Sequence, residues 1–175
     1  RSQPNDTYTG ITLQDVDGAV PGWKKSMGFI HSHPTVKIYN GADDTGNLLS
    51  VRNLHDCHSR YENKMALITG DGGFDFSVDF DRQEATSIGL IVAQLAFAIA
   101  TQKFGGHFIL KVFDTFTQST VDVLFLLSIA YSKVRVIKPQ TSRQGNSERY
   151  LVCSGFRLQD RRSMVEGLAR CIERV

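Results

Sequence analysis

The run Met65-Ala66-Leu67-Ile68-Thr69, halted by Gly70-Asp71-Gly72-Gly73, decides the fold. A short apolar run stopped by a glycine cluster reads as a buried strand ending in a tight loop. Downstream, Glu84–Lys103 is apolar almost all round, the pattern of a helix packed deep against a sheet. Gly105-Gly106 reads as the end of that helix, and His107–Phe113 as a second buried strand. Ser119–Ser132 reads as a further helix capped by Ser119 or Thr117, Lys133–Lys138 as a strand stopped by Pro139, Glu148–Ser154 as a last strand, and Asp160–Val175 as a closing helix. Strands alternating with helices imply right-handed crossovers on a mostly parallel sheet. The interval from Lys138 to Glu148 is too short for a helical crossover, so the last strand must run antiparallel to its predecessor. The fold class is α/β: a mostly parallel sheet with an antiparallel last strand and helices on both faces.

Upstream the pattern is looser. Tyr8–Leu13 and Val36–Tyr39 read as short strands, Asp17–Lys25 as a loop, and Asn40–Gly46 as a turn-rich loop. Leu48, Leu49, Val51, Leu54, Cys57 and Tyr61 have helical spacing, which places an amphipathic helix within Asn47–Asn63.

Composition narrows the class. A chain of 175 residues with 41% hydrophobic and 22% charged residues has the ordinary globular mix, which disfavours disorder and coiled coil. The 20 Lys+Arg against 18 Asp+Glu leave +2, so any nucleic-acid site must be a local basic patch. The longest apolar stretches, Ile88–Thr101 and Val121–Ala130, fall short of the ~20 residues of a membrane span and read as core. Cys57, Cys153 and Cys171 form no CxxC pair and read as reduced thiols of a nuclear or cytoplasmic protein that is not secreted. Neither His31-Ser32-His33 nor His55-Asp56-Cys57-His58 has the second cluster a zinc site needs, so no metal is expected. Trp23, beside Lys24-Lys25, reads as a packing residue, with base stacking the other use of such a ring.

In parallel α/β sheets ligands bind outside the carboxyl ends of the strands. Asp71 follows the first strong strand, and Lys111 interrupts the second near its end, with Asp114 closing it. Lysine inside a strand buried on both faces is costly unless paired or near an opening. Glu148 opens the antiparallel strand, so it arrives at the same edge. A lysine between two carboxylates can hold and orient a hydroxyl, while a structural ion pair closing the sheet edge uses the same residues.

The blocks Thr69-Gly70-Asp71-Gly72-Gly73-Phe74, Gly105–Asp114, Lys138-Pro139-Gln140-Thr141-Ser142-Arg143 and Asn146-Ser147-Glu148-Arg149-Tyr150-Leu151-Val152-Cys153 resemble the FtsJ-like RNA 2′-O-methyltransferases. Among these they are most similar to the messenger-RNA cap ribose methyltransferases of eukaryotes and large DNA viruses. The resemblance spans roughly Tyr8 to Phe156 and is specific from Met65 onward. It implies a Rossmann-like sheet, S-adenosyl-L-methionine as cofactor, and capped RNA as substrate, with other capping enzymes as possible partners. By the same resemblance Asp71, Lys111 and Glu148 are three members of a Lys-Asp-Lys-Glu catalytic tetrad. Gly10, Thr12 and Asp71 would lie beside the cofactor, Asp44 at its adenine end, and Arg143 and Arg149 would meet RNA phosphates, with surface or loop bracing the other use of these arginines. The family's glycine-rich cofactor loop and first lysine would precede Gly10, and Arg1–Thr9 holds no such glycines. Asp17-Gly18-Ala19-Val20-Pro21-Gly22 follows the wrong strand to replace that loop. The expectation is one domain over 1–175 that is incomplete at its start. Within it, 1–64 is a variable cofactor and substrate side, 65–156 the catalytic core and 157–175 a C-terminal helix. A catalytically silent module that binds RNA or braces a capping assembly is the alternative.

Overall fold

The computed structural model describes residues 6–14, 22–73, 83–143 and 145–175. Most of the Asp17–Lys25 loop, all of the rival glycine loop except Gly22, and Phe74 lie outside the described residues.

Two sheets are present among the described residues. β1 (Tyr8–Gly10) and β2 (Val36–Ile38) form a parallel pair. The larger sheet contains β3 (Met65–Gly70), β4 (Gln102–Val112), β5 (Tyr131–Ile137) and β6 (Arg149–Phe156) in the order β3-β4-β6-β5. β3 and β4 are parallel, and β6 runs antiparallel to both β4 and β5. The short return from β5 therefore inserts β6 between β4 and β5, a placement that loop length alone does not specify. The ends of β3, β4 and β5 and the start of β6 share one edge: Gly70 pairs with Leu110, Val112 with Arg149, and Ile137 with Tyr150.

The helices are α1 (Met27–Ser32), α2 (Val51–Tyr61), α3 (Gln83–Thr101), α4 (Gln118–Ala130) and α5 (Arg162–Ile172). Ser50 caps α2, its hydroxyl accepting from the Asn53 N–H. Thr117 rather than Ser119 caps α4, accepting from the Thr120 N–H. α3 touches α2, α4 and α5, so these four form one layer. Leu95, Ile99, Phe108, Leu110, Val112, Leu151, Cys153 and Phe156 are buried between helices and sheet. α3 is long and apolar enough to cross a bilayer, yet most of it is buried in this core. The second helical layer expected of the fold class has no counterpart against the larger sheet among the described residues.

Four expectations change. Met65–Thr69 is a strand, but not a buried one: β3 pairs only with β4 among the described residues, and Leu67 is 59% exposed. Gly105-Gly106 does not end α3. The helix stops at Thr101 and β4 begins at once, carrying the glycines in a bulge where the pairing slips between Met65 and Leu67. A Cβ on Gly106 would stand 2.8 Å from the Ala66 carbonyl oxygen, so only glycine permits that approach. α4 is buried on one side only, since Val121, Phe125 and Ile129 face outward. Finally, α1 and the 3-10 turn Lys24–Ser26 occupy a stretch without helical patterning, and no residue of either is buried.

Candidate active site

Alternation along β4 sets the site. Phe108, Leu110 and Val112 are buried under the helices, while His107, Ile109 and Lys111 leave the other, more open face. Lys111 is thus not a charge inside a strand buried on both faces. Its side chain is 16% exposed, and Nζ meets Asp71 Oδ1 at 2.8 Å and donates to the Asp71 carbonyl oxygen at 3.2 Å. The Asp71 side chain is 71% exposed, so the pair gains little stability and orients the ammonium without sealing it away.

The loop bearing Asp71 is held from beneath. Gln94 on α3 accepts from the Gly72 N–H through Oε1 at 2.8 Å and donates to the Leu90 carbonyl at 3.1 Å. A Cβ on Gly70 or Gly72 would press on that amide at about 3 Å. Gln94 is buried, and its polarity within an apolar helix is the sequence signal that could have singled it out.

Glu148 precedes β6 at the same edge. Its Oε1 accepts from Ser142 Oγ at 3.2 Å and from the Tyr150 hydroxyl at 3.3 Å. Tyr150 pairs directly with Lys111 across the β4–β6 ladder, so both side chains leave one face. Burial first, then the Asp71 and Glu148 charges, raise the Tyr150 phenol above its ordinary range. Both acids therefore act on that one hydroxyl. Asp71 and Lys111 pair directly, and Glu148 reaches the same edge through Tyr150, a residue that the residue-by-residue reading passed over.

The arginines separate. Arg143 is exposed in the loop between β5 and β6. Arg149 alternates with Tyr150 and so leaves the opposite face of the sheet, where Nη1 meets Asp114 Oδ1 at 3.3 Å and donates to the Ser147 carbonyl at 2.8 Å. Arg149 braces the strand entry on the face away from Lys111.

A second cluster stands at the carboxyl ends of β1 and β2. The Tyr39 N–H donates to the Gly10 carbonyl at 2.9 Å, and the Gln14 N–H to Thr45 at 2.7 Å, tying the Gly10–Gln14 tail to the 40–46 loop. Thr12 lies in that tail, its carbonyl packed on Gly46. Gly10 lies under Trp23, whose ring would be 2.6 Å from an added Cβ, which is the packing use of that ring. The Trp23 indole nitrogen is buried without a partner. Asp43 is consumed by structure, accepting from Thr45, Ser50 and Asn53. Asp44 instead is exposed at positive φ, leaving its carboxylate outward at the loop tip. Asp44 and Asp71 are thus the exposed carboxylates of two strand-end clusters.

Three of the five histidines serve the helices. His33 meets the Phe29 carbonyl at the end of α1, His55 faces Glu166, and His58 faces Glu62. No three metal-binding side chains come together among the described residues.

Residues 8–156 match the FtsJ-like methyltransferase family. The chain is 34% identical over 166 residues to the cap-specific mRNA (nucleoside-2′-O-)-methyltransferase 1 of Trypanosoma brucei brucei, covering 94% of this chain and 43% of that protein. It is 36% identical over 149 residues to the namesake from Trypanosoma cruzi, covering 84% and 40%. The chain thus spans less than half the length of these curated relatives. A solved structure described as a putative ribosomal RNA methyltransferase from Plasmodium falciparum superposes with a TM-score of 0.49 at 22% identity, covering 71% of this chain and 65% of that one.

Proposed function

Because the chain belongs to the FtsJ-like methyltransferase family, we propose that it carries the acceptor side of an S-adenosyl-L-methionine-dependent RNA ribose 2′-O-methyltransferase acting on capped messenger RNA. The observation that carries this reading is the Lys111–Asp71 pair at 2.8 Å on the strand-end edge where Glu148 arrives. The similarity to cap-specific mRNA methyltransferases favours a capped 5′ end over other RNA, and other capping enzymes as partners. A nuclear or cytoplasmic site of action completes the reading, supported by the three free thiols.

When bound, S-adenosyl-L-methionine supplies a methyl group on a positively charged sulfur. Asp44 and the Gly10–Thr12 tail would hold its adenosine side, and Asp71 its methyl-bearing side. Lys111 Nζ sits where it can hold the ribose 2′-hydroxyl, and in its neutral form it accepts the hydroxyl proton. Asp71 Oδ1 stabilises the ammonium that results. Glu148, held by Ser142 and Tyr150, would approach the acceptor from the β6 side of the edge. Little of the rate then requires covalent chemistry by the protein: positioning of the hydroxyl and preorganised charge supply it.

The test is methyl transfer from labelled cofactor to capped RNA by the full encoded protein, with the nucleosides resolved afterwards. Label on a ribose 2′-oxygen, absent when the acceptor is a 2′-deoxynucleotide, is the expected result. Label on a base, or none at all, overturns the reading.

A further inference from the structure

The loop from Lys138 to Glu148 carries Arg143 and Ser142 and delivers Glu148 to the sheet edge, and one cation ties it shut. Lys138 Nζ donates to the Asn146 carbonyl at 2.8 Å, to Asn146 Oδ1 at 2.8 Å and to the Glu148 carbonyl at 3.2 Å. These three acceptors match the three protons of an ammonium. The side chain is exposed, where lysine is ordinarily loose and hydrated, so a fully used ammonium there is not a generic surface feature. It bridges the exit of β5 to the entry of β6, eight and ten residues further on.

Inside the bridge the chain turns twice. The Ser142 N–H donates to Pro139 at 3.0 Å, and the Asn146 N–H to Arg143 at 3.3 Å. Pro139 begins the first turn with φ already fixed. Ser142 Oγ lies 3.3 Å from Asn146 Oδ1 and 3.2 Å from Glu148 Oε1, and its single proton serves one of them at a time. Ser142 stands between the Asn146 amide that Lys138 holds and the Glu148 carboxylate. One side chain thus bears on the Glu148 backbone directly and on its carboxylate through Ser142.

We propose that Lys138 is a positioning residue of the site: its ammonium closes the 138–148 loop on Asn146 and Glu148, fixing where the Glu148 carboxylate stands. The proposal rests on the reading of Glu148 as part of a methyltransferase site. The role assigned to Lys138 is indirect, exercised through Asn146 and Glu148. Methionine at 138 keeps much of the side-chain volume and removes all three donors, whereas arginine restores charge and donors in another geometry.

The experiment compares the full encoded protein with its Lys138→Met and Lys138→Arg variants. It measures kcat and KM for capped RNA, cofactor affinity, melting temperature, and amide hydrogen exchange across 141–150. The expected result for Lys138→Met is faster exchange confined to 141–150, with kcat lowered roughly tenfold, as for loss of one transition-state-oriented contact. KM for RNA, cofactor affinity and melting temperature should stay near the wild-type values, and Lys138→Arg should recover part of kcat. Unchanged exchange overturns the proposal, as does faster exchange with unchanged kcat, or a kcat loss that tracks a global drop in melting temperature. Failure of the wild-type protein to methylate RNA sinks the functional reading and this role with it. The wild-type control tells that case from failure of the Lys138 proposal alone.

Discussion

Lys111 and Tyr150 stand opposite one another in the β4–β6 ladder, and both leave the open face of the sheet. Asp71 meets the lysine and Glu148 meets the tyrosine, so two strand neighbours gather two acids from loops 77 positions apart in the sequence. This pairing exists only because β6 is inserted antiparallel beside β4. A site assembled this way should fail in chemistry before it fails in folding.

Lys111→Ala tests the centre of that arrangement. The lysine pairs with an exposed carboxylate, so its removal should change melting temperature little. Transfer to the 2′-hydroxyl should fall by about 10²–10⁴-fold, the usual worth of a positioned acid–base group. Single-turnover transfer at saturating RNA and cofactor measures the step directly. A variant that keeps near-normal single-turnover rates would remove Lys111 from the reaction.

Tyr150→Phe tests the fourth member. The change deletes one hydrogen bond to Glu148 Oε1 and leaves the ring packed. A rate loss of about tenfold is expected, matching one hydrogen bond to a charged group. The phenol is raised by burial and by the two acids, so in the folded protein it stays protonated and remains a donor through neutral pH. The loss should therefore be the same at pH 6 and pH 8. A loss that appears only at the higher pH would mean the hydroxyl acts by ionising.

Much of this was legible in the residues, because strand ends and loop lengths carry topological information. The eleven positions from Lys138 to Glu148 fixed the direction of β6, and with it the arrival of Glu148 at the edge that carries Lys111. Other features depended on three dimensions. The inside–outside parity of β4 turned Lys111 from an anomaly in a doubly buried strand into a residue of the open face. The same parity on β6 sent Arg149 to Asp114, on the face away from Tyr150, where the resemblance had implied contact with RNA phosphates. The Gly105-Gly106 pair read as a helix stop, because a bulge that close to a helix end looks the same in one dimension. Gln94 was hidden by its neighbours, since an amide in an apolar helix shows its purpose only when the loop above it is seen.

The loop at the ends of β1 and β2 should depend on Asn53, which is fully buried. Its Oδ1 accepts from the Ala42 N–H at 2.8 Å and the Asp43 N–H at 3.3 Å, while Nδ2 donates to Asp43 Oδ1 at 2.8 Å and the Asn47 carbonyl at 3.0 Å. Asn53→Ala strands these partners and should cost about 2–3 kcal/mol, lowering the melting temperature by about 5–10 °C. Cofactor affinity should fall with it, because Asp44 rides on the same loop. Hydrogen bonds from Thr45, then Asn53, hold the Asp43 carboxylate well below the usual range. A depressed acid contributes stability above its unfolded value, near 3.8, and loses it as pH falls through the folded one. Asp43→Asn should therefore be less stable than wild type at pH 7, with the gap closing below about pH 4, as followed by denaturant melts. A gap independent of pH would take Asp43 out of the acid response.

The cysteines give the alkaline counterpart. Cys57 and Cys153 are buried, and burial pushes both thiols from 9.0 up to about 12, while Cys171 is exposed. A raised thiol contributes stability that is complete below its unfolded value and is lost as pH rises through the folded one. Stability should thus decline between about pH 9 and pH 12, and Cys57→Ser or Cys153→Ala should blunt that slope. At pH 8 an alkylating reagent should modify Cys171 quickly and the other two only at the rate of opening, because the thiolate is the reactive form. Mass spectrometry of the native protein after brief alkylation measures this. Early label on Cys57 would mean that α2 parts from α3 far more readily than its packing allows, and with α2 would move the Asn53 anchor of the Asp44 loop.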